Sequence, residues 1–312
     1  MIIKKNIDKN ILKKKSSNIS IGDFNKTFNQ ILQEISDPRK TLNVLSKDFV
    51  FNFKLSDLNK FRKFKTIAII GMGGSILGAE ATHFFLEKKI KKKVYFFNDL
   101  NIENLISFKK KEKLNKTLII IISKSGNTIE TISNAFILRT IRKESKNIIV
   151  ISEQKDNFLH NLSKKINLFY IEHKNYIGGR YSVLSEVGVL PAYLMGVNIF
   201  LFRKDLKKYF LSIKETFLKE SSVKIANIIY LKKLKNLIFL NYSPRLEKFL
   251  YWCQQLIAES LGKKGKGLMP VISSAPKDHH SALQLYLDGP KDKLFHIFSL
   301  EENTKKKIKG KK

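Results

Sequence analysis

Cysteine is almost missing from this sequence of 312 residues, since Cys253 is the only one. A single cysteine cannot form a disulfide within the chain, which excludes a disulfide scaffold and fits a reducing compartment. Long apolar runs are missing too: residues 118–122 form one of the longest, far short of the ~18 apolar residues that predict a membrane-spanning helix. Lysine interrupts the first residues too often for the apolar core of a signal peptide. We therefore expect a soluble cytoplasmic protein with no membrane contact.

Acidic residues are also scarce. Asp and Glu number 27 against 59 Lys and Arg, so the formal net charge is +32. Such a charge attracts polyanions and phosphorylated metabolites, and nucleic-acid binding is one interpretation. The alternative, a drift in composition toward lysine, is the one we favour. The basic runs at residues 13–15, 91–93 and 305–307 lack the interleaved aromatic side chains of a groove that binds nucleic-acid strands. We therefore do not expect a nucleic-acid partner.

Five short apolar segments, separated by helical patterns, predict an α/β unit. Helical spacing at residues 77–87 and 128–141 falls between segments rich in β-branched residues. Strands that alternate with helices and are apolar on both faces are typical of a mainly parallel sheet. Ligands of such sheets bind at the carboxyl ends of the strands. The predicted strands are residues 65–71, 94–97, 117–123, 147–152 and 168–172.

The chain length predicts about two domains. We divide the sequence into a helical N-terminal arm at residues 1–62, the α/β unit at residues 63–200, a second unit at residues 201–300 and a basic tail at residues 301–312. The second unit contains few strand candidates, which predicts an abbreviated sheet. Its predicted elements are helices at residues 205–219 and 246–261 and strands at residues 236–241, 269–273 and 294–299.

Two of the predicted strands end in loops suited to an anion. The first is followed by GMGGSILG at residues 71–78, where glycines allow a tight turn and bring backbone N–H groups close to a ligand. The third is followed by SKSGNTIET at residues 123–131, which places hydroxyl groups and a lysine before a helix N-terminus. The alternatives are a plain tight turn and helix capping by Ser125 or Thr128. Two such loops in one unit favour a phosphate site.

Two further segments carry groups for charge stabilisation and proton transfer. Arg180 follows two glycines in GGRYSVLSEVG at residues 178–188, and a chain that prefers lysine retains arginine where a planar, permanently charged group is needed. Gln255 and Glu259 share a helix face with Trp252, which would shield a carboxylate partly from water and make it a stronger base. The alternatives are a surface arginine and a solvated polar helix face.

Adjacent histidines occur at His279 and His280. Neighbouring side chains diverge on a helix or a strand, and no cluster of carboxylates and histidines with ligand spacing accompanies the pair, so we expect no metal site. Proton transfer by one histidine is the functional interpretation, and a surface histidine pair is the alternative.

Taken together and in this order, these segments resemble the glucose-6-phosphate isomerase family. The resemblance extends over residues 67–289 and rests on GMGGSILG, SKSGNTIET, GGRYSVLSEVG, ESLGK at residues 259–263 and HHSALQL at residues 279–285. GGRYS and ESLGK are specific to that family, whereas the two loops occur in sugar-isomerase (SIS) domains generally. Leu261 stands where the family usually has asparagine, and His279 where glutamine is common. No residue matches the family's lysine near the carboxyl terminus.

The resemblance implies an α/β fold with two SIS-type subdomains, each a mainly parallel sheet flanked by helices, the second one abbreviated. It also implies reversible conversion of glucose 6-phosphate to fructose 6-phosphate through a cis-enediol, without metal or organic cofactor. Glu259 would be the catalytic base, Arg180 would stabilise the intermediate, Gln255 would contact the substrate, and His280 would open the sugar ring from the partner subunit of a homodimer. The residues implied to bind the phosphate are Gly74, Ser75, Ser123, Lys124, Ser125 and Thr128.

Other functions remain open on the sequence alone. A dual phosphoglucose and phosphomannose isomerase also carries loops of the SxSGNT type, although GGRYS and ESLGK favour the single activity. A non-catalytic sugar-phosphate-binding regulator on the same scaffold would not need Glu259, Arg180 and His280.

Overall fold

Two parallel β-sheets form the framework of the computed structural model, which describes residues 19–139, 141–206, 217–230 and 234–300. Within these residues, the first sheet has the strand order β2-β1-β3-β4-β5 and the second has the order β7-β6-β8. All neighbouring strands are parallel, as expected. The strands are β1 (Thr66–Ile70), β2 (Lys93–Phe97), β3 (Thr117–Ile122), β4 (Ile148–Ser152), β5 (Phe169–Glu172), β6 (Asn236–Asn241), β7 (Met269–Ser274) and β8 (Lys293–Phe298).

The central strands of the first sheet are buried along their whole length. Every residue of β1, β3 and β4 is buried, because helices cover both faces of the sheet. Alternate residues point to opposite faces, so Ile67 and Ile69 join one core cluster while Ala68 and Ile70 join the other. Because these strands are continuous apolar runs, their ends could be predicted from the sequence to within one or two residues.

The helices fall between and around the strands. The predicted helix at residues 128–141 ends earlier, at Ile137, because Arg139 adopts a left-handed conformation with φ of 52° that stops the helix. The described helices are α1 (Ile21–Ser36), α2 (Leu55–Leu58), α3 (Leu77–Phe85), α4 (Ile102–Lys111), α5 (Ile129–Ile137), α6 (Phe158–Lys165), α7 (Glu186–Met195), α8 (Ile199–Arg203), α9 (Phe217–Tyr230), α10 (Glu247–Leu261) and α11 (Leu283–Asp288).

The second sheet packs against α9 and α10. Leu250 of α10 is fully buried and joins Phe239 of β6 and Ile228 of α9 in one core cluster. Cys253 packs against the same cluster, and burial raises the pKa of its thiol to about 12, so the group stays protonated at neutral pH. This sheet has three strands among the described residues, which confirms the prediction of an abbreviated second sheet.

Residues 207–216 of the predicted helix at residues 205–219 lie outside the described residues, as do the tail at 301–312 and the first 18 residues of the arm. The sequence pattern did not indicate that a helix, α9, extends to Tyr230. The domain boundaries at residues 62 and 200 stay a prediction. No helix in the described ranges is long and apolar enough to cross a membrane.

The two halves of the chain meet through helices α3 and α10, which pack against each other. Arg245, just before α10, donates from Nη2 to the carbonyl oxygen of Phe85 at the end of α3 over 2.7 Å. As α3 follows the glycine loop of the first sheet and α10 belongs to the second, this contact places the face of α10 beside the carboxyl end of β1.

Candidate active site

Hydroxyl groups gather at the carboxyl end of β3. Ser123 comes directly after the strand and is buried, and its Oγ lies 2.9 Å from Oγ1 of Thr128. Ser125 Oγ lies 3.4 Å from both of these oxygens. Thr128 occupies the N-cap position of α5, but its side chain makes no capping hydrogen bond. The hydroxyl of Thr128 therefore faces the other hydroxyls instead of serving the helix.

A cavity of about 350 Å³ opens over these hydroxyls. The loop after β3 contributes Lys124, Ser125 and Thr128, and the short turn at Gly73–Ser75 contributes Gly74 and Ser75. Ser123 lies beneath this lining, in contact with Thr128. Six predicted site residues thus come together around one cavity. The complete lining is Met72, Gly74, Ser75, Lys124, Ser125, Thr128, Glu153, Lys155 and Gly179.

The glycine loop is in direct backbone contact with the loop that carries Arg180. A Cβ atom on Gly74 would lie 2.3 Å from both the carbonyl carbon and the oxygen of Gly179, closer than any side chain can approach. Ser182 Oγ lies within hydrogen-bond distance of the carbonyl oxygens of Gly74, at 3.0 Å, and Gly179, at 2.7 Å. Gly74 is therefore needed for close approach of two loops that border the cavity.

Arg180 meets Glu259 across the two halves of the fold. Arg180 Nη1 lies 3.3 Å from Glu259 Oε2, and Arg180 Nε donates to Ser260 Oγ over 2.9 Å. The guanidinium also lies over the Tyr181 ring, 4.7 Å from its centroid. These contacts hold the arginine in one orientation beside the carboxylate.

The predicted face of α10 points toward this pair. Gln255 Nε2 donates to Glu259 Oε1 over 2.8 Å, while Gln255 Oε1 is buried and has no hydrogen-bond partner among the described residues. Trp252 contacts the loop that carries Arg180. Its indole Nε1 donates to the backbone oxygen of Arg180 over 2.8 Å, and 48% of the Glu259 side chain stays exposed. Trp252 thus supports the backbone of Arg180, and partial shielding of the Glu259 carboxylate by its ring stays a prediction.

Glu153 and Lys155 line the cavity although the sequence analysis did not single them out. They follow β4, the neighbour of β3 in the sheet, so their loop reaches the same edge. Glu153 Oε1 lies 3.5 Å from Lys124 Nζ, and Oε2 pairs with Lys155 Nζ. Burial raises the pKa of Glu153, but the hydrogen bond to Lys155 and the charge of Lys124 outweigh it and hold the pKa below its usual value. The signal that could have found these residues was their place after a strand predicted to be parallel.

His280 stands apart from the other predicted residues. It is exposed in a short turn, Lys277–His280, after β7, and it lines neither this cavity nor a second one beside Gln255. The neighbouring His279 lies with Nε2 3.1 Å from the Tyr242 hydroxyl. A role for His280 in the site of another subunit stays a prediction. Nowhere in the described part of the chain do three or more His, Cys, Asp or Glu residues lie together as a metal site would require.

Comparison with known proteins decides the family. The family model for phosphoglucose isomerase matches residues 47–275, a stretch that includes both glycine loops, Arg180 and Glu259. The chain belongs to the phosphoglucose isomerase family. This membership confirms the resemblance seen in the sequence motifs.

Relatives within the phosphoglucose isomerase family are longer than this chain. A probable glucose-6-phosphate isomerase from Methanococcus maripaludis is 34% identical over 89% of this chain and 67% of the relative. The glucose-6-phosphate isomerase from Methanocaldococcus jannaschii is 32% identical, with 90% of this chain and 71% of the relative covered. The chain thus spans about two thirds of the length of these relatives.

Solved structures show the same fold. A hypothetical protein from Thermus thermophilus superposes with a TM-score of 0.69 at 25% identity, covering 86% of this chain and 68% of the other. A glucose-6-phosphate isomerase from Chlamydia trachomatis gives a TM-score of 0.62 at 22% identity, covering 76% and 50%. The arrangement of two parallel sheets is therefore the one expected for sugar-isomerase domains.

Proposed function

We propose that this chain, as a phosphoglucose isomerase, interconverts glucose 6-phosphate and fructose 6-phosphate. The observation that carries the proposal is the contact of Arg180 with Glu259 beside a hydroxyl-lined cavity. An aldose–ketose isomerisation needs a base next to the carbonyl carbon, a cation near the developing negative charge, and an anchor for the phosphate. The family membership supports the same reaction.

The cavity over β3 would hold the phosphate. Ser75, Ser125 and Thr128 offer hydroxyl groups, Lys124 offers charge, and Ser123 orients Thr128 through their hydrogen bond. The close approach permitted by Gly74 brings the Arg180 loop to the rim of the cavity. Binding the phosphate away from the reacting carbons supplies energy that orients the sugar against the catalytic groups.

Glu259 would transfer the proton. The carboxylate takes the proton from C2 of the open-chain aldose, the electron pair of that bond forms the C1=C2 double bond, and the π pair of the C1 carbonyl moves onto O1 to give an enediolate. The proton of the C2 hydroxyl passes to O1, so that the negative charge moves to O2. The same carboxyl group then returns its proton to C1, where it takes up the pair of the C1=C2 bond as O2 forms the C2 carbonyl. Gln255 Nε2 donates to one oxygen of this carboxylate and thereby orients it.

Arg180 would stabilise the negative charge that develops on the enediolate oxygens. Its guanidinium is already oriented by Ser260 and Tyr181, so little reorganisation is needed as the charge forms. A hydrogen bond from a fixed cation of this kind contributes on the order of 3 kcal/mol to the transition state.

The ring-opening step and the cellular setting complete the proposal. His280 is exposed on the surface of one chain, which suits a residue that enters the site of a neighbouring subunit, so we propose a homodimer in which each site receives the partner's His280. The protonated Cys253 thiol, the single cysteine, fits a reducing cytoplasm.

A coupled assay of the purified chain with fructose 6-phosphate tests the function. We expect turnover, and we expect Glu259→Gln to lower kcat at least about a hundredfold while binding of the phosphate ester stays nearly intact, because only the base is lost. Glu247→Gln, on the first turn of the same helix, is the matched control and should keep its kcat.

The outcomes separate the open alternatives. Binding of fructose 6-phosphate without any turnover by the unaltered chain would make it a sugar-phosphate-binding protein and overturn the proposal. Turnover of mannose 6-phosphate at a comparable rate would indicate the dual isomerase.

A further inference from the structure

The loop after β4 is built into the phosphate cavity. Glu153 is 7% exposed although it carries a charge, and its backbone N–H donates to the carbonyl oxygen of Lys124 over 3.0 Å. Asn157 Nδ2 donates to the carbonyl oxygen of Glu153 over 2.8 Å. The loops after β3 and β4 are therefore joined at the backbone, and the Glu153 carboxylate is held in a fixed place between them.

This carboxylate holds two ammonium groups at the cavity. Lys124 Nζ lies 3.5 Å from Oε1 of Glu153 and also donates to the carbonyl oxygen of Asn175 over 2.9 Å. Lys155 Nζ pairs with Oε2 of Glu153 and lines the cavity, although 56% of the Lys155 side chain is exposed. An exposed lysine beside a carboxylate of fixed position loses part of its freedom before any ligand arrives.

The charges around the cavity show why the second lysine matters. Among the described residues that line it, the charged ones are Lys124, Lys155 and Glu153, two cations and one anion. Without Lys155, the charge of Glu153 would cancel that of Lys124, and the lining would carry no net charge for a phosphate monoester of charge near −2. Lys155 therefore supplies the net positive charge of the lining.

We propose that Lys155 is a second cationic ligand of the substrate phosphate, held at the cavity by Glu153. The inference rests on the proposed function for the identity of the substrate, but the phosphate group alone is enough to test it. In this arrangement Glu153 has two effects: it positions the lysine, and its negative charge weakens the attraction for anions. Since Lys124 keeps its bond to the Asn175 oxygen, loss of the Glu153 charge would strengthen phosphate binding.

The experiment measures inorganic phosphate, both as a competitive inhibitor of fructose 6-phosphate turnover and by titration calorimetry. We expect Lys155→Met to weaken phosphate binding and raise KM at least about fivefold with kcat within about twofold, because phosphate contact is uniform through the reaction. Lys155→Arg should restore most of the affinity. Glu153→Gln should tighten phosphate binding at least about twofold. Lys146→Met is the control. This exposed lysine precedes β4, so it lies at the end of the strands opposite to the cavity.

The opposite effects of the two charge changes distinguish a ligand from a residue that only supports the loop, since loss of support would weaken binding in both variants. Unchanged phosphate affinity in Lys155→Met, with a clear loss in Lys124→Met, would overturn the role of Lys155 while the proposed function stands. A lack of turnover in the unaltered chain would instead overturn the proposed function. Calorimetry with inorganic phosphate would then still decide the role of Lys155.

Discussion

Arg180 shows how much one side chain depends on its surroundings. Its Nε donates to Ser260, its Nη1 reaches Glu259, and its backbone oxygen accepts from Trp252. A planar group with donors in two directions can make the first two contacts at once, whereas the compact ammonium of lysine cannot. The sequence pointed to this position because arginine is rare in the chain, and the structure adds the partners that orient it.

Replacement of this arginine by lysine should therefore act on the chemical step. We expect Arg180→Lys to lower kcat about 10- to 100-fold with a small change in KM, because the charge stays but its orientation toward the enediolate is lost. Steady-state kinetics with fructose 6-phosphate measures the effect, and Arg62→Lys on the protein surface is the control. A variant that kept its full kcat would show that a positive charge alone suffices.

The buried residue His173, near the cavity residues Lys124 and Glu153, makes the stability of the fold depend on pH. The residue is 1% exposed, and burial lowers the pKa of its imidazole to about 4. The unfolded chain takes up a proton near pH 6.5, whereas the folded chain resists it down to about pH 4. Stability contributed by the neutral ring is thus complete above about pH 6.5 and is lost as the pH falls through this window.

The expected size of this effect is about 2 kcal/mol of the free energy of unfolding between about pH 7 and about pH 5. Urea unfolding of the unaltered chain and of His173→Asn at both pH values measures it. The variant lacks the titrating ring, so its free energy of unfolding should depend less on pH by this amount. Equal pH dependence in the two proteins would contradict the assignment.

At the scale of elements, the contact between the two glycine-rich loops decides the shape of the cavity rim. Gly74 and Gly179 differ sharply as sites for a methyl group. A Cβ on Gly74 would lie 2.3 Å from backbone atoms of Gly179, whereas a Cβ on Gly179 would meet Gly74 at an ordinary 3.9 Å. The same chemical change is therefore forbidden in one loop and permitted in the other.

We expect Gly74→Ala to lower the free energy of unfolding by about 1–3 kcal/mol through overpacking. Its kcat/KM should fall at least about tenfold, because the Arg180 loop must move away from the cavity. Gly179→Ala is the matched control and should unfold within about 0.5–1 kcal/mol of the unaltered chain. Denaturant midpoints and kinetics check both variants; equal stability of the two would show that the loops separate without cost.

The elements differ in how far the sequence could predict them. β1, β3 and β4 were found because they are apolar on both faces, and Ser123 because a run of hydroxyl residues follows such a segment. Glu153 and Lys155 carry no such local pattern. Their place in the cavity depends on the adjacency of β3 and β4, which is a property of sheet order and not of local spacing. The end of α5 was also missed, because no local sequence pattern indicates the left-handed conformation of Arg139.

At the scale of the whole molecule, contacts distant in sequence connect the two halves. The Asn227 side chain in α9 accepts from the backbone N–H of Ile19 over 3.1 Å and donates to its carbonyl oxygen over 2.9 Å. Trp252 and Arg245 bridge α10 to the first sheet's loops and helices. The proposed dimer would add one more connection, from the exposed turn that holds His280.

Complementation between two inactive variants tests this dimer. If His280 of the partner subunit serves each site, a mixed dimer of Glu259→Gln and His280→Ala chains has one site with both original residues. A refolded equal mixture should then recover about a quarter of the unaltered activity, because half of the dimers are mixed and half of their sites are intact. Neither variant alone should recover. Absence of recovery in a mixture shown by sedimentation to be dimeric would place His280 in its own chain's site.

The phosphate cavity and Glu259 belong to different sheets, and this limits which sugar phosphates can react. The cavity proposed to bind the phosphate is lined by loops of the first sheet, whereas Glu259 lies on α10, a helix that packs on the second sheet. The packing of α3 against α10 sets the distance between the two, so a pentose phosphate bound by its phosphate in the same cavity would hold its first two carbons one bond short of the carboxylate. The architecture selects substrates by the length of the carbon backbone between ester and carbonyl.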